Sequence, residues 1–182
     1  MYINDPSLIN DPSLINDPSL IMESGKLYKI VSDSTDKIYI GSTVKSLEQR
    51  LEGHEDKYED WFNSEFENGY CTSFEILKYG DYKILLLEDY PCSCTSELLK
   101  REGIYQLKNY SLCVNIVIAG KKQLDFKNFN FDPYYICSCG KKMKNKYKTR
   151  RCHIKSVTHK IKIKELHLDM IKSNPKYEFS II

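Results

Sequence analysis

No stretch of the 182-residue chain approaches the roughly 20 consecutive apolar residues of a membrane-spanning helix, so a helical membrane protein is excluded. The start of the chain has no basic segment followed by an apolar core and a small-residue cleavage site. The expected location is therefore intracellular, not secreted. In a reducing compartment the seven cysteines are expected to be thiols or metal ligands instead of a disulfide framework. Acidic residues are missing altogether between Lys141 and Lys164. That stretch holds Lys142, Lys144, Lys146, Lys148, Arg150, Arg151 and Lys155, so a net charge of only +2 conceals a cationic block suited to a polyanion. A solvated basic tail is the plainer reading of the same block.

The length accommodates one domain of about 100 residues and a smaller appendage. Asn-Asp-Pro-Ser-Leu-Ile occurs three times between Asn4 and Ile21. A six-residue period with a proline in each copy fits neither helix nor strand, so residues 1–22 are expected to be a disordered extension. Lys26–Val31 and Lys37–Ser42 read as strands joined at Asp33-Ser34-Thr35-Asp36, a β-hairpin. Ser46-Leu47-Glu48-Gln49 has capping-box spacing and opens a helix on which Arg50 and His54 lie one turn apart. Ser73–Tyr79 and Lys83–Leu87 are expected to be two further strands, and Thr95 or Ser96 to cap a second helix running towards Asn109. The expected order is β-β-α-β-β-α over residues 25–120. A polar linker over 121–133, a basic module over 134–168 and a tail over 169–182 follow.

Lys26-Leu27-Tyr28 on the first strand and Tyr39-Ile40-Gly41 on the second resemble the paired signature of the GIY-YIG endonucleases. The second half is intact; in the first, Lys26 stands for Gly and Leu27 for Ile, with the tyrosine kept. Arg50 and His54 on the following helix, Glu102 in a later helix and Asn115 after it match the family's order. The resemblance covers Gly25 to Gly120 and is greatest to versions from large DNA viruses, which implies the cytoplasm or nucleus of a host cell. It implies an α+β fold, a small antiparallel sheet flanked by helices, and metal-dependent phosphodiester hydrolysis with DNA as the expected substrate.

These residue types suit that chemistry. Attack on a phosphodiester gathers negative charge on its equatorial oxygens, so a cutter needs cations and donors there, a base for water and a Lewis acid at the leaving oxygen. Glu102 is a hard oxygen ligand for Mg²⁺ or Mn²⁺. Arg50 offers a fixed fork of donors to a phosphoryl group. Tyr28 is expected to accept a proton from water if a cation lowers its phenol pKa from about 10. Spacing does not divide labour between Tyr28, Tyr39 and His54, and Glu97 competes with Glu102 for the place facing the site. Each of these residues also has an ordinary structural use, the tyrosines in a core and Arg50 in a helix ion pair. Cys92, Cys94 and Cys113 have no matching histidines nearby and read as buried or incidental thiols.

Cys137 and Cys139, followed by His153 and His159, form a donor set that tetrahedral Zn²⁺ takes. The single residue between the cysteines is shorter than the usual two to four, and Cys152 stands beside His153 as a substitute ligand. A module this small and basic is expected to need the metal to fold, so the chain is expected to end in a small zinc-binding module. Two other readings use the same residues: a nucleic-acid-binding protein that keeps the nuclease fold without cutting, and a zinc-finger module that binds another protein. No membrane partner is expected.

Overall fold

In the computed structural model, the residues described are 24–64, 69–124, 134–137 and 139–173. The hexapeptide repeat, most of the expected linker, and residues 174–182 lie outside them. The architecture is α+β. Strands β1 (Lys26–Ser32), β2 (Thr35–Thr43) and β3 (Tyr82–Asp89) form an antiparallel sheet in the order β2-β1-β3. A second, two-stranded antiparallel sheet pairs β4 (Tyr134–Ile136) with β5 (Lys142–Lys144).

Strand alternation sorts β1 between two faces. Leu27 packs with Cys92 and Leu98 beneath helix α3 (Thr95–Lys108), while Tyr28 and Ile30 join Trp61, Phe74 and Ile76 on the opposite face. Helix α1 (Leu47–Asn63) buries His54, Tyr58 and Trp61, at helical i, i+4 and i+7 spacing, against that second face. Its start is the capping box expected of Ser46 and Gln49: the Ser46 hydroxyl accepts from the Gln49 amide, and the Gln49 side chain accepts from the Ser46 amide. The hairpin turn is tighter than the Asp33–Asp36 tetrad, since Ser32 already pairs with Thr35.

Ser73–Tyr79 is not a strand. Phe74–Leu77 forms a one-turn helix, α2, with all four residues buried. A short apolar run buried on every side carries no period to separate helix from strand. The order from residue 26 to 108 is therefore β-β-α-α-β-α. Beyond α3, an isolated parallel bridge pairs Ile38 with Cys113. Helix α3 starts after Cys94 instead of Thr95 or Ser96, without a side-chain cap.

Helices α4 (Tyr147–Ile154) and α5 (Val157–Ser173) are the last of the described elements, so helix continues through the first residues of the expected tail. Ile163 of α5 belongs to the same buried cluster as Tyr28, Trp61 and Phe74, with Leu166 packed against it. The C-terminal segment thus shares a core with the β1–β3 sheet. No helix of the described residues is long and apolar enough to cross a membrane.

Candidate active site and metal centre

The hairpin brings Tyr28 opposite Gly41. A Cβ on Gly41 would lie 2.5 Å from Cζ of Tyr28, so the glycine of Tyr39-Ile40-Gly41 makes room for the phenol. Helix α1 then delivers two partners to that phenol. Arg50 Nε donates to Tyr28 Oη at 2.8 Å, and Tyr28 Oη lies 2.8 Å from His54 Nε2. On the other side of the ring, His54 Nδ1 lies 2.9 Å from Ser73 Oγ, and Ser73 Oγ donates to Cys71 Sγ at 3.2 Å. One tautomer satisfies this series: Nδ1 carries the proton and donates to Ser73, leaving Nε2 to accept from Tyr28.

Electrostatics agree with that assignment. Burial, then the nearby Arg50 and Lys57 charges, push the His54 pKa down to about 3, so the ring is a neutral acceptor. Burial pushes the Tyr28 phenol up to about 12, against the opposing pull of Arg50. Arg50 alone therefore does not bring the phenol below its ordinary range: desolvation outweighs the guanidinium. Burial raises Tyr39 well above its ordinary range as well.

Glu102 reaches the same region from α3. Ser42 Oγ donates to its Oε2 at 2.6 Å and Gln106 Nε2 to its Oε1 at 2.7 Å. Burial raises the carboxyl pKa, opposed by the Ser42 hydrogen bond and Arg50. Glu97 is exposed, with its carboxylate bonded to the Ser93 amide, outside the site. Asn115 is used differently from the others. Its Oδ1 accepts from the Ile40 amide at 2.9 Å and its Nδ2 donates to the Ile40 carbonyl at 2.8 Å, which makes it a clamp on β2.

Tyr39, Glu102, Gln106 and Asn115 line a cleft of about 740 Å³ whose lining also includes Arg151 and Lys155. Two of the expected cationic residues thus share a cleft with the carboxylate. Lys142, Lys144 and Lys146 are exposed; the side chain of Lys148 lies outside the described set. Arg150 departs from the expectation of a nucleic-acid contact. It is buried, donates from Nη2 to the Cys113 carbonyl at 2.8 Å, and lies 3.9 Å over the Tyr135 ring. A guanidinium committed to the junction between α4 and the first sheet is withdrawn from the surface.

The ligand atoms of Cys137, Cys139, His153 and His159 all lie within 4.8 Å of one another. Cys137 Sγ is 3.7 Å from His159 Nδ1 and Cys139 Sγ is 3.1 Å from His153 Nε2. Tetrahedral zinc, with Zn–S of about 2.3 Å and Zn–N of about 2.0–2.1 Å, puts sulfur and nitrogen about 3.5 Å apart, within this spread. The quartet could hold a metal ion, and it is compatible with zinc. Burial works against a charge on His159, yet the Cys137 sulfur and the Glu75 carboxylate hold its ring up to about 10. Cys152 is exposed and outside the quartet, so the substitute ligand is not needed. Cys92 and Cys113 are buried free thiols and Cys94 is an exposed one.

Sequence reasoning missed Ser42, Ser73, Gln106 and Glu75. For Glu75 a clue was present: an acid inside the apolar run Phe74–Leu77 needs a partner. Compared with protein-family models, with curated proteins and with solved structures, the chain finds no match.

Proposed function

We propose that the chain is a metal-dependent endonuclease of the GIY-YIG kind, hydrolysing phosphodiesters in DNA. The observation that carries this reading is the Tyr28 hydroxyl, held between a guanidinium donor and a neutral imidazole acceptor. A buried phenol needs a hydrogen-bond partner in any fold, but one neutral partner meets that need. A phenol that must take a proton from water asks for both: an outlet for its own proton and a cation beside its oxygen.

In the proposed reaction a water oxygen attacks phosphorus and its proton passes to Tyr28 Oη, while the Tyr28 proton moves to His54 Nε2, a weak base that holds it only in passing and releases it to solvent. The bond from phosphorus to the leaving oxygen breaks, and that oxygen leaves with a proton from solvent. Arg50 covers the Tyr28 hydroxyl; among the described residues its Nη groups make no hydrogen bond, which leaves them for a phosphoryl oxygen. Tyr39 meets the substrate from the cleft wall. Arg151 and Lys155 engage flanking phosphates, contacts that strengthen binding without reading sequence.

Glu102 is the residue that would hold Mg²⁺ or Mn²⁺. It lines the cleft, and Ser42 and Gln106 each take one lone pair of its two oxygens, leaving acceptor capacity on both. Magnesium needs few protein carboxylates, because waters and substrate phosphate fill its shell. When bound there, the cation supplies Lewis acidity at the leaving oxygen. Zinc in the quartet would be structural, with four protein ligands and no open position.

The burial of Glu102 favours a second reading, a nucleic-acid-binding protein that retains the fold without cutting. Supercoiled plasmid distinguishes the two. With the purified protein, the nuclease reading expects nicked or linear product with Mg²⁺ and none with chelator. Retention of plasmid without cleavage under both conditions supports the binding protein.

A further inference from the structure

Glu75 occupies a place that neither the catalytic series nor the metal quartet explains alone. Its carboxylate is buried, in a helix of the first segment, yet its Oε1 accepts from His159 Nε2 at 2.8 Å. The Tyr70 hydroxyl donates to the same oxygen, and Lys78 Nζ lies 3.4 Å from Oε2. His159 presents its other nitrogen, Nδ1, to Cys137. A histidine that binds a metal through one nitrogen commonly donates from the other to a carboxylate, which fixes the tautomer and aims the ring. Glu75 is in that position.

Charge supports the same assignment. Lys78 is buried beside Glu75, and the two cancel. Cys137, buried, and Cys139, half-buried, would as thiolates add two negative charges beside this pair, and a divalent cation cancels them. With the metal bound and His159 neutral, the buried group as a whole is neutral, the condition under which buried charges are tolerated.

The same turn reaches the catalytic series. Ser73, two residues before Glu75, is fully buried and hydrogen-bonded to His54. Its carbonyl accepts from the amides of Ile76 at 2.9 Å and Leu77 at 3.1 Å, so Ser73 and Glu75 belong to one tight turn and move together. We propose that Glu75 is the outer-sphere carboxylate of the Cys/His metal site, and that the Ser73–Glu75 turn makes metal occupancy set the orientation of His54. Glu75 and Ser73 are positioning residues, acting through His159 and His54. The catalytic meaning of His54 rests on the proposed nuclease reading; the physical coupling does not.

The test uses the full chain without nucleic acid. Metal affinity is measured by chelator competition with Co²⁺, whose visible absorption reports tetrahedral thiolate–imidazole coordination. E75Q should bind 10–100-fold more weakly than wild type. Because E75Q leaves Lys78 buried opposite a neutral group, E75L/K78M serves as the second variant: it removes both charges and the hydrogen bond, and should also weaken binding. The ¹⁵N resonances of the His54 ring should differ between zinc-loaded wild type and zinc-loaded E75L/K78M. They should also change when zinc is removed from wild type, and that change should be lost in S73A, which still takes up metal. Wild-type affinity in both Glu75 variants overturns the outer-sphere role. His54 resonances indifferent to zinc and to E75L/K78M overturn the coupling. Intact plasmid beside positive results in both assays would remove the nuclease reading and leave this inference standing.

Discussion

The hydroxyl of Tyr28 on the first strand lies 2.8 Å from Nε2 of His54 on the first helix, with Arg50 Nε the same distance away on its other side. The neutral imidazole that this contact requires has a consequence for stability. Burial, with Arg50 and Lys57 nearby, holds its pKa at about 3 in the fold, while the unfolded chain returns it to about 6.5. Between these values the unfolded chain binds the extra proton. Stability contributed by the neutral ring is therefore complete above about pH 6.5 and lost as pH falls towards 3. Tyr28, Tyr39 and Ser73 also face the ring and offer no carboxylate to offset the change. Urea unfolding of zinc-loaded wild type and His54→Gln at pH 7 and pH 5 isolates the effect: wild type should lose about 2 kcal/mol more than the variant. Equal losses would mean that the fold does not depress the His54 pKa.

Gly41→Ala should damage the site through space. The added methyl collides with the ring of Tyr28, which is buried and held by two hydrogen bonds, so it has little freedom to withdraw. Overpacking of this kind costs about 1–3 kcal/mol. Cleavage should fall more than melting temperature suggests, since the displaced atom is the proposed proton acceptor. Wild-type cleavage with unchanged Tm would show that Tyr28 can move without consequence.

Hairpin, capped helix, glutamate helix and metal quartet were legible in the sequence because each rests on a local rule. A turn tetrad lies between strand-like runs, Ser46 and Gln49 have capping spacing, and a Cys pair precedes a His pair. The one-turn helix at Phe74–Leu77 was not, since its residues are buried all round and carry no period. The fate of Arg150 was equally hidden. In a run of lysines it looks like another cation for phosphate, and only the approach of α4 to the Cys113 carbonyl turns it inward. Long-range contacts of this sort also explain why Glu75, 84 residues from His159, left only an isolated acid as its trace.

The C-terminal segment should be structurally required, not merely a tether for nucleic acid. Ile163 of α5 is almost fully buried in the cluster around Trp61, and Ile163→Ala should cost about 2–5 kcal/mol by the lost burial and the cavity left. Removal of residues 134–182 should broaden unfolding and expose Trp61 to quencher. A truncated protein with the wild-type melting curve would show that the segment is an independent appendage.

Arg151 and Lys155 should act in binding and leave the reacting atoms alone. Each Ala substitution should flatten the slope of log K against log salt by about 0.9 for duplex DNA, the loss of one phosphate contact. Fluorescence anisotropy with Ca²⁺ in place of Mg²⁺ reads this without cleavage. An unchanged slope in both variants would mean that Arg151 and Lys155 are not part of the nucleic-acid path.

Glu102 is proposed to hold the cation for phosphodiester cleavage, and the matched pair Glu102→Gln and Glu97→Gln separates that role from an ordinary surface charge. Both changes remove one negative charge from α3 and keep the shape. Glu97 is exposed and outside the cleft, whereas Glu102 faces it. The measurement is single-turnover cleavage of supercoiled plasmid in saturating Mg²⁺, with binding and Tm recorded alongside. Loss of Lewis acidity at the leaving oxygen removes several kcal/mol of barrier lowering, so Glu102→Gln should cut at least about a hundredfold more slowly, with binding retained and Glu97→Gln close to wild type. Wild-type cleavage by Glu102→Gln, or no metal-dependent cleavage by any of the three proteins, contradicts the account.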